Sequence, residues 1–382
     1  MKHVIVVTTS YPDSDHGSSA AGSFVMDFVQ ELSRFVTVTV VTPASESGVV
    51  TRGNITLHRF CVRRQPLSLL KVQNPLHWAA ILTTLFSGKK SVLQAATNRK
   101  PDYIFALWAL PSGYWANAVS RKFDTRVGIW SLGSDIWSLG KIPVIRQMLA
   151  RTLHRATHRF ADGLGLQRDV ELIAGAECNF LPSSREFPVN TKKQYRDAPP
   201  YRLVFLGRWH PNKGTDILLD ALSQLTAADW ENVQDVRIFG GGPMEDAVAE
   251  RIAKLKSCGL PVSQGGFINK QQAADLLFSA DYAIIPSRIE SIPVIFSDCI
   301  AAKCAIICTP AGDLPDLVRK YNVGCCAAEC TASALAETLS AALRTPPVTL
   351  STGMEDATRD FDIPRIVERF LSVTSLDGPR NR

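Results

Sequence analysis

Glu290 and Asp298 stand eight positions apart in the stretch 286–298, Pro-Ser-Arg-Ile-Glu-Ser-Ile-Pro-Val-Ile-Phe-Ser-Asp. The apolar run 282–285 before them reads as a strand, and 294–302 reads as a helix. A strand that runs into a helix start presents unpaired backbone N–H groups, which suit an anion. Carboxylates at the same place suit hydroxyls. A nucleotide sugar carries both phosphate and hydroxyls and would use both sets. Upstream, Gly207-Arg208-Trp209-His210-Pro211-Asn212-Lys213-Gly214 follows a second apolar run, 201–206. An arginine and a lysine five positions apart between glycines can converge on one diphosphate, the first as a planar fork and the second as a point charge. Two solvated surface cations would look the same in sequence. Gly240-Gly241-Gly242-Pro243 after the run 236–239 is either a close backbone approach to a ligand or a tight turn alone.

These residues need a scaffold of strands and helices. In the first half, 3–9 is a β-branched strand, 23–35 an amphipathic helix and 36–42 a second strand. Strands at 102–108 and 126–131 and a long basic helix at 144–160 follow. In the second half, strands at 201–206, 236–239, 282–285 and 305–309 alternate with helices at 216–225, 271–279 and 294–302. Two βαβ series of this kind predict an α/β protein with two doubly wound parallel sheets. The polar segment 190–200 ends in Pro199-Pro200 and reads as the linker. The expected domains are 1–190, 200–362 and a last apolar helix within 363–382.

The ordered set of Arg208 with Lys213, Gly240 to Pro243, and Glu290 to Asp298 resembles the Glu-x7-Glu glycosyltransferases of family GT4. That family has the GT-B architecture: two Rossmann-like domains facing each other across a cleft, and a C-terminal helix crossing back to the first. The resemblance spans nearly the whole chain but is most specific in the second half. It implies transfer of a hexose from a nucleoside-diphosphate sugar to an acceptor hydroxyl, with retained anomeric configuration and no metal. Arg208, Lys213 and Glu290 are then the catalytic candidates. The implied donor contacts are Gly22, Ser23, Gly207, Gly240, Gly242, Phe267, Ile268, Ile292, Pro293, Val294 and Asp298, with Asp298 on the ribose hydroxyls. Leu132-Gly133-Ser134-Asp135 resembles the family's His-Gly-Ser-Asp element and makes Asp135 an acceptor-side or cleft residue; a helix N-cap is its bland reading. Leu132 replaces the family histidine, Asp298 a glutamate, and Lys303 and Asp313 glycines. The same architecture also carries nucleotide-sugar 2-epimerases, and a non-catalytic sugar-nucleotide-binding subunit is a further alternative.

Bulk properties narrow the setting. The chain has 382 residues, 46% of them hydrophobic and 20% charged, which is ordinary for a packed globular protein. No apolar run is long enough to span a bilayer, and the N-terminus reads as a strand rather than a leader. The nine cysteines lack an extracellular spacing pattern, which points to the cytoplasm. Cys325, Cys326 and Cys330 read as buried thiols rather than metal ligands. Asp13-Ser14-Asp15 spells a metal motif of another glycosyltransferase architecture but sits in a turn, where Asp and Ser are common anyway. Charge is uneven: residues 1–196 hold 24 Lys+Arg against 13 Asp+Glu, a net of +11, and the remainder nets −5. Between Glu46 and Asp102 there is no acid, while Arg52, Arg59, Arg63, Arg64, Lys71, Lys89, Lys90, Arg99 and Lys100 mingle with Trp78, Leu82 and Phe86. Such a segment suits an anionic membrane surface, at the inner face of the membrane, or is a solvated basic face over a core helix. Nucleic acid is disfavoured, because aromatics are not interleaved at stacking positions. The remaining expected partners are the nucleotide-sugar donor and a glycan or lipid-linked acceptor.

Overall fold

The structure is a computed structural model that describes residues 1–12, 22–62, 74–188, 193 and 195–376. The Asp13-Ser14-Asp15 turn, and Arg63, Arg64 and Lys71 of the basic segment, lie outside the described residues. The chain forms two compact units, Met1–Ser183 together with Ile363–Arg382, and Ser184–Asp362.

The first unit runs β1 (His3–Val7), α1 (Ser23–Leu32), β2 (Thr37–Ala44), β3 (Gly48–Arg52), β4 (Ile55–Cys61), α2 (Trp78–Asn98), β5 (Tyr103–Leu107), α3 (Tyr114–Phe123), β6 (Arg126–Ser131), α4 (Ser134–Trp137), α5 (Pro143–His154), β7 (His158–Ala161), α6 (Leu164–Ala174) and β8 (Asn179–Phe180). Its eight-stranded sheet has the order β3-β4-β2-β1-β5-β6-β7-β8. Neighbours pair in parallel except β3 with β4. Strands such as Val4-Ile5-Val6-Val7 are buried on both faces, which is why they read as unbroken apolar runs rather than alternating ones. On one face Ile5, Ile104, Ala106 and Ile129 meet Val92, Trp115, Leu149 and Leu166 of α2, α3, α5 and α6. On the other, Phe28 and Phe105 contact Phe370 of the returning helix at 5.5 and 4.4 Å between ring centroids.

The second unit continues with β9 (Tyr201–Arg208), α7 (Thr215–Leu222), α8 (Ala227–Trp230), β10 (Val233–Gly241), α9 (Glu245–Ser257), β11 (Val262–Gly265), α10 (Lys270–Ser279), β12 (Tyr282–Ile285), α11 (Val294–Ala301), β13 (Ala305–Cys308), α12 (Leu314–Tyr321), β14 (Gly324–Cys326), α13 (Ala332–Ala342) and α14 (Met354–Asp360). Its all-parallel sheet has the order β11-β10-β9-β12-β13-β14, so strand order reverses between β9 and β12. At such a reversal the loops beyond the two strands leave in opposite directions and open a ligand crevice. The last helix, α15 (Ile363–Thr374), packs on α1 in the first unit.

Three sequence readings need correction. The helix expected over 144–160 stops at His154 and is followed by β7, where the Thr157 N–H donates to the Val127 carbonyl (2.8 Å). His158 and Arg159 hid that strand. The first domain was expected to run to 190, yet Ser184 onward belongs with the second unit. Within the expected linker, Lys193 Nζ donates to the carbonyls of Leu277, Phe278 and Ala280, which fastens it to the C-terminal end of α10, where a cation is favoured.

Phe370 is fully buried among Phe28, Tyr103, Phe105 and Phe160. Phe370→Ala should destabilise the first unit by about 3–5 kcal/mol, read as a lower urea midpoint. An unchanged midpoint would show that α15 is not part of that core.

Candidate donor site at the strand-order reversal of the second unit

β9 ends at Arg208 and β12 ends at Ile285, the two strands flanking the reversal. The loops that follow them are tied together. Gly214 takes the left-handed conformation (φ 66°), and a Cβ there would lie 1.8 Å from the Pro286 carbonyl oxygen. The Arg288 N–H donates to the Asn212 carbonyl (2.8 Å), and the Arg288 guanidinium forks onto Asp216 at 2.8 and 2.6 Å. Across this seam the Lys213 ammonium donates to Glu290 Oε1. Ser287 Oγ donates to the same oxygen (3.2 Å), and the Ser287 carbonyl accepts from Thr309 Oγ1 (2.6 Å). Lys213 and Glu290 are only partly exposed, at 33% and 13%. Gly312 (φ 54°) closes behind them, since a Cβ there would press on the Glu290 and Ser291 carbonyls at 2.2 and 2.4 Å.

Arg208 is exposed and has no described partner. Its position relative to Lys213 is felt at His210. Burial lowers the imidazole's pKa, and the nearby charges of Arg208 and Lys213 lower it further. Both cations therefore act on one small region beyond β9. The Asn212 N–H donates to His210 Nδ1 (3.2 Å) and caps the single turn that carries Lys213.

Gly207, Gly240 and Gly242 line the same end of the sheet. A Cβ on Gly240 would lie 1.9 Å from the Gly207 carbonyl oxygen, and one on Gly242 would lie 2.8 Å from the Trp209 carbonyl oxygen. Phe267 is 58% exposed, and its ring would be 2.7 Å from a Cβ on Gly241. Ile268 is partly exposed beside it. Ile292, Pro293 and Val294 lead into α11, whose first-turn amides lack helical partners by construction. Three buried polar atoms that the sequence reading passed over lie on these loops without a partner: Trp209 Nε1, Thr215 Oγ1 and Ser291 Oγ. Buried polar groups are normally satisfied, so an orphan invites a ligand or water. Their only sequence signal was adjacency to Arg208, Gly214 and Glu290.

Asp298 has a different partner from the one expected. Its side chain is 1% exposed, and its carboxylate accepts from Arg185 Nε at 2.7 Å and from Arg185 Nη2. A carboxylate held by a bidentate guanidinium is not open to ribose hydroxyls as it stands. Asp135, expected on the acceptor side or in the cleft, lies in the first unit. It is buried (2% exposed) and accepts from the Ala109 N–H (2.7 Å) and the Leu132 N–H (3.2 Å), strapping the turns after β5 and β6. Burial pushes its carboxyl pKa up, against the pull of those amides. Gly133, not Asp135, holds the cap position of α4. Gly22 precedes α1 in the left-handed region (φ 94°), where a Cβ would lie 2.8 Å from the Ser10 carbonyl oxygen, and Ser23 begins that helix. Gly22 and Ser23 belong to the first unit. Lys303, in the place of a family glycine, takes the left-handed conformation that glycine would take (φ 52°). Among the described residues no three His, Cys, Asp or Glu side chains gather as a metal site.

Residues 200–345 match the family model described as Glycosyl transferases group 1. A Bacillus subtilis (strain 168) protein, assigned by name to teichuronic acid biosynthesis as the glycosyltransferase TuaC, is 25% identical over 348 residues, 84% of each chain. D-inositol 3-phosphate glycosyltransferase 1 of Catenulispora acidiphila is 27% identical over 190 residues, 47% of this chain and 46% of that one. Among solved structures, the sucrose-phosphate synthase of Thermosynechococcus elongatus has a TM-score of 0.75 at 17% identity, over 98% of both chains. Anabaena Alr3699/HepE in complex with UDP has a TM-score of 0.71 at 16% identity, over 98% of this chain and 100% of that one. These likenesses identify the fold as GT-B, with two Rossmann-like domains.

An anion bound beside Arg208 and Lys213 would offset the field that depresses His210. Titrating the imidazole by NMR with and without inorganic pyrophosphate should show its pKa rise on binding. No movement at saturating pyrophosphate would place the anion elsewhere.

Proposed function

We propose that the chain is a retaining hexosyltransferase of the GT4 type that uses a nucleoside-diphosphate sugar. The observation that carries the reading is the Lys213–Glu290 ion pair, which spans the strand-order reversal of a group 1 glycosyltransferase sheet. The pair is a cation for phosphate and a carboxylate for sugar at one place. Anabaena HepE was solved with UDP-glucose, which makes UDP-glucose the first donor to try.

The hard step is departure of a charged diphosphate from an oxocarbenium-like sugar. In this reading Arg208 and Lys213 neutralise charge growing on the leaving oxygen, and preorganised charge of this kind is commonly the largest catalytic contribution. They take the part a metal plays elsewhere. The amides entering α11 add to them. Glu290, released in part from Lys213 when phosphate arrives, accepts from sugar hydroxyls and favours positive charge at the anomeric carbon. The leaving phosphate takes the acceptor proton, so no separate protein base is needed. Phe267 offers an exposed ring for the base, and the Trp209 indole and the Thr215 and Ser291 hydroxyls offer polar atoms to the donor. Ribose recognition is not assigned to Asp298. The first unit recognises the acceptor, a glycan or lipid-linked sugar; the names of the B. subtilis and C. acidiphila relatives fit such acceptors. No described helix is long and apolar enough to cross a membrane, and in this reading the protein works at the cytoplasmic surface of the membrane as a peripheral protein.

The protein should release UDP or GDP from one member of a panel of nucleotide sugars, and faster with a lipid-linked acceptor. Lys213→Ala and Glu290→Ala should each lower turnover at least about a hundredfold, the scale of one lost transition-state contact. Donor binding without turnover on every sugar would point instead to a non-catalytic subunit, and inversion at C2 without diphosphate release to an epimerase. Wild-type rates in both variants would remove the site.

A further inference from the structure

Three neighbouring helices of the first unit carry no acidic residue. They are α2 (WAAILTTLFSGKKSVLQAATN), α3 (YWANAVSRKF) and α5 (PVIRQMLARTLH). A solvated face normally mixes both signs of charge, and α6 does, with Arg168, Asp169 and Glu171. The three helices are contiguous. Trp115 Nε1 of α3 donates to the Leu85 carbonyl of α2 (2.9 Å), and Asn117 Nδ2 of α3 donates to the Thr152 carbonyl of α5 (2.9 Å). All three pack on one face of the sheet. Each is a crossover between parallel strands, so they run side by side in one direction.

Apart from Arg146, an exposed cation near the start of α5, their exposed apolar and basic residues sort along that direction. The N-terminal halves expose Trp78, Leu82 and Phe86 of α2 (54%, 54% and 74%), Tyr114 of α3, and Val144 and Met148 of α5 (71% and 37%). The C-terminal halves bear Lys89 and Lys90, then Arg121 and Lys122, then Arg151, with Arg155 just beyond α5. Between α3 and α5 lies a groove of about 370 Å³ lined by Tyr114, Asn117, Arg121, Met148, Arg151 and Arg155. Arg121, Arg151 and Arg155 are exposed, and none pairs with a described residue. The helix C-termini account for part of their placement, but three unpaired guanidinium groups around one groove, with apolar side chains on the same surface, are complementary to a phosphate at the edge of a hydrocarbon layer.

We propose that α2, α3 and α5 form a docking face for an anionic lipid bilayer, with the exposed apolar side chains in the interface and a headgroup phosphate in the α3–α5 groove. The proposal rests on the peripheral-membrane reading above and names the surface that carries it. The apolar stripe from Trp78 to Phe86 spans about 12 Å along its helix, on the scale of the interfacial layer that such helices enter.

The test is sedimentation of the full-length protein with vesicles of pure phosphatidylcholine or of phosphatidylcholine with phosphatidylglycerol. Three proteins are compared: wild type, Arg121→Gln/Arg151→Gln/Arg155→Gln, and Phe86→Ser/Val144→Ser. All substituted positions are exposed, and circular dichroism with donor hydrolysis in solution checks that the fold and the donor site are intact. Wild type should bind only the anionic vesicles and lose binding with salt. The arginine variant should bind about a hundredfold more weakly, given the usual gain per basic side chain at an anionic surface. The serine variant should also weaken. Binding by all three proteins alike would overturn this face and leave the peripheral reading standing. No binding by wild type would overturn both. Thermal stabilisation of wild type by pyrophosphate, lost in the arginine variant and without vesicle binding, would make the groove a site for a soluble phosphate and overturn the lipid assignment. Self-association in light scattering that disappears in the serine variant, again without vesicle binding, would assign the face to a second copy of the chain.

Discussion

The reversal of strand order between β9 and β12 is the constraint on which the candidate site depends. Loops that leave neighbouring strands in opposite directions cannot pair with each other as strands do, so other contacts must set their spacing. Here Gly214 lies against the Pro286 carbonyl, and Arg288 holds both the Asn212 carbonyl and Asp216. Lys213 is thereby delivered to Glu290. Without the glycine, the Pro286 carbonyl would have to move, and the pair would separate. The ion pair is thus a consequence of the seam. What the pair contributes is placement: two opposite charges are held together, partly exposed, at the end of the sheet.

The two units divide their chemistry differently. The second brings Arg208, Lys213 and Arg288 together in two loops at one end of a sheet. The first carries basic side chains along three parallel helices that contain no acid. Local delivery suits a compact diphosphate. A broad field mixed with exposed aromatic and aliphatic side chains suits an extended surface. The opposite net charges of the two halves of the sequence already carry this division.

Much of the fold was legible because parallel strands buried on both faces read as apolar runs, and glycines mark the turns after them. The pairing of Lys213 with Glu290 was legible only as a shared ligand, since nothing local ties residues 77 positions apart. Asp298 shows the limit. Its place in the Glu-x7-Glu pattern suggested a ribose contact, but Arg185, 113 positions earlier, takes the carboxylate, and no spacing rule joins the two. The hydrogen bonds of Asp135 were illegible for a related reason: its amide partners come from two loops, one of them 26 positions away. β7 was hidden by His158 and Arg159, whose polar side chains sit on a strand pinned by its neighbours. The acid-free face was half visible as the gap between Glu46 and Asp102, but α3 and α5 join it only once the sheet brings them beside α2.

If the Lys213 ammonium is shared between Glu290 and a bound diphosphate, removing the carboxylate's charge frees the cation and removes a like charge near the phosphate. Calorimetric titration of UDP, or of GDP if that is the nucleotide bound, into Glu290→Gln tests this directly. The account predicts tighter nucleotide binding than in wild type, together with a loss of sugar transfer. Weaker binding, falling with that of Lys213→Met, would contradict it.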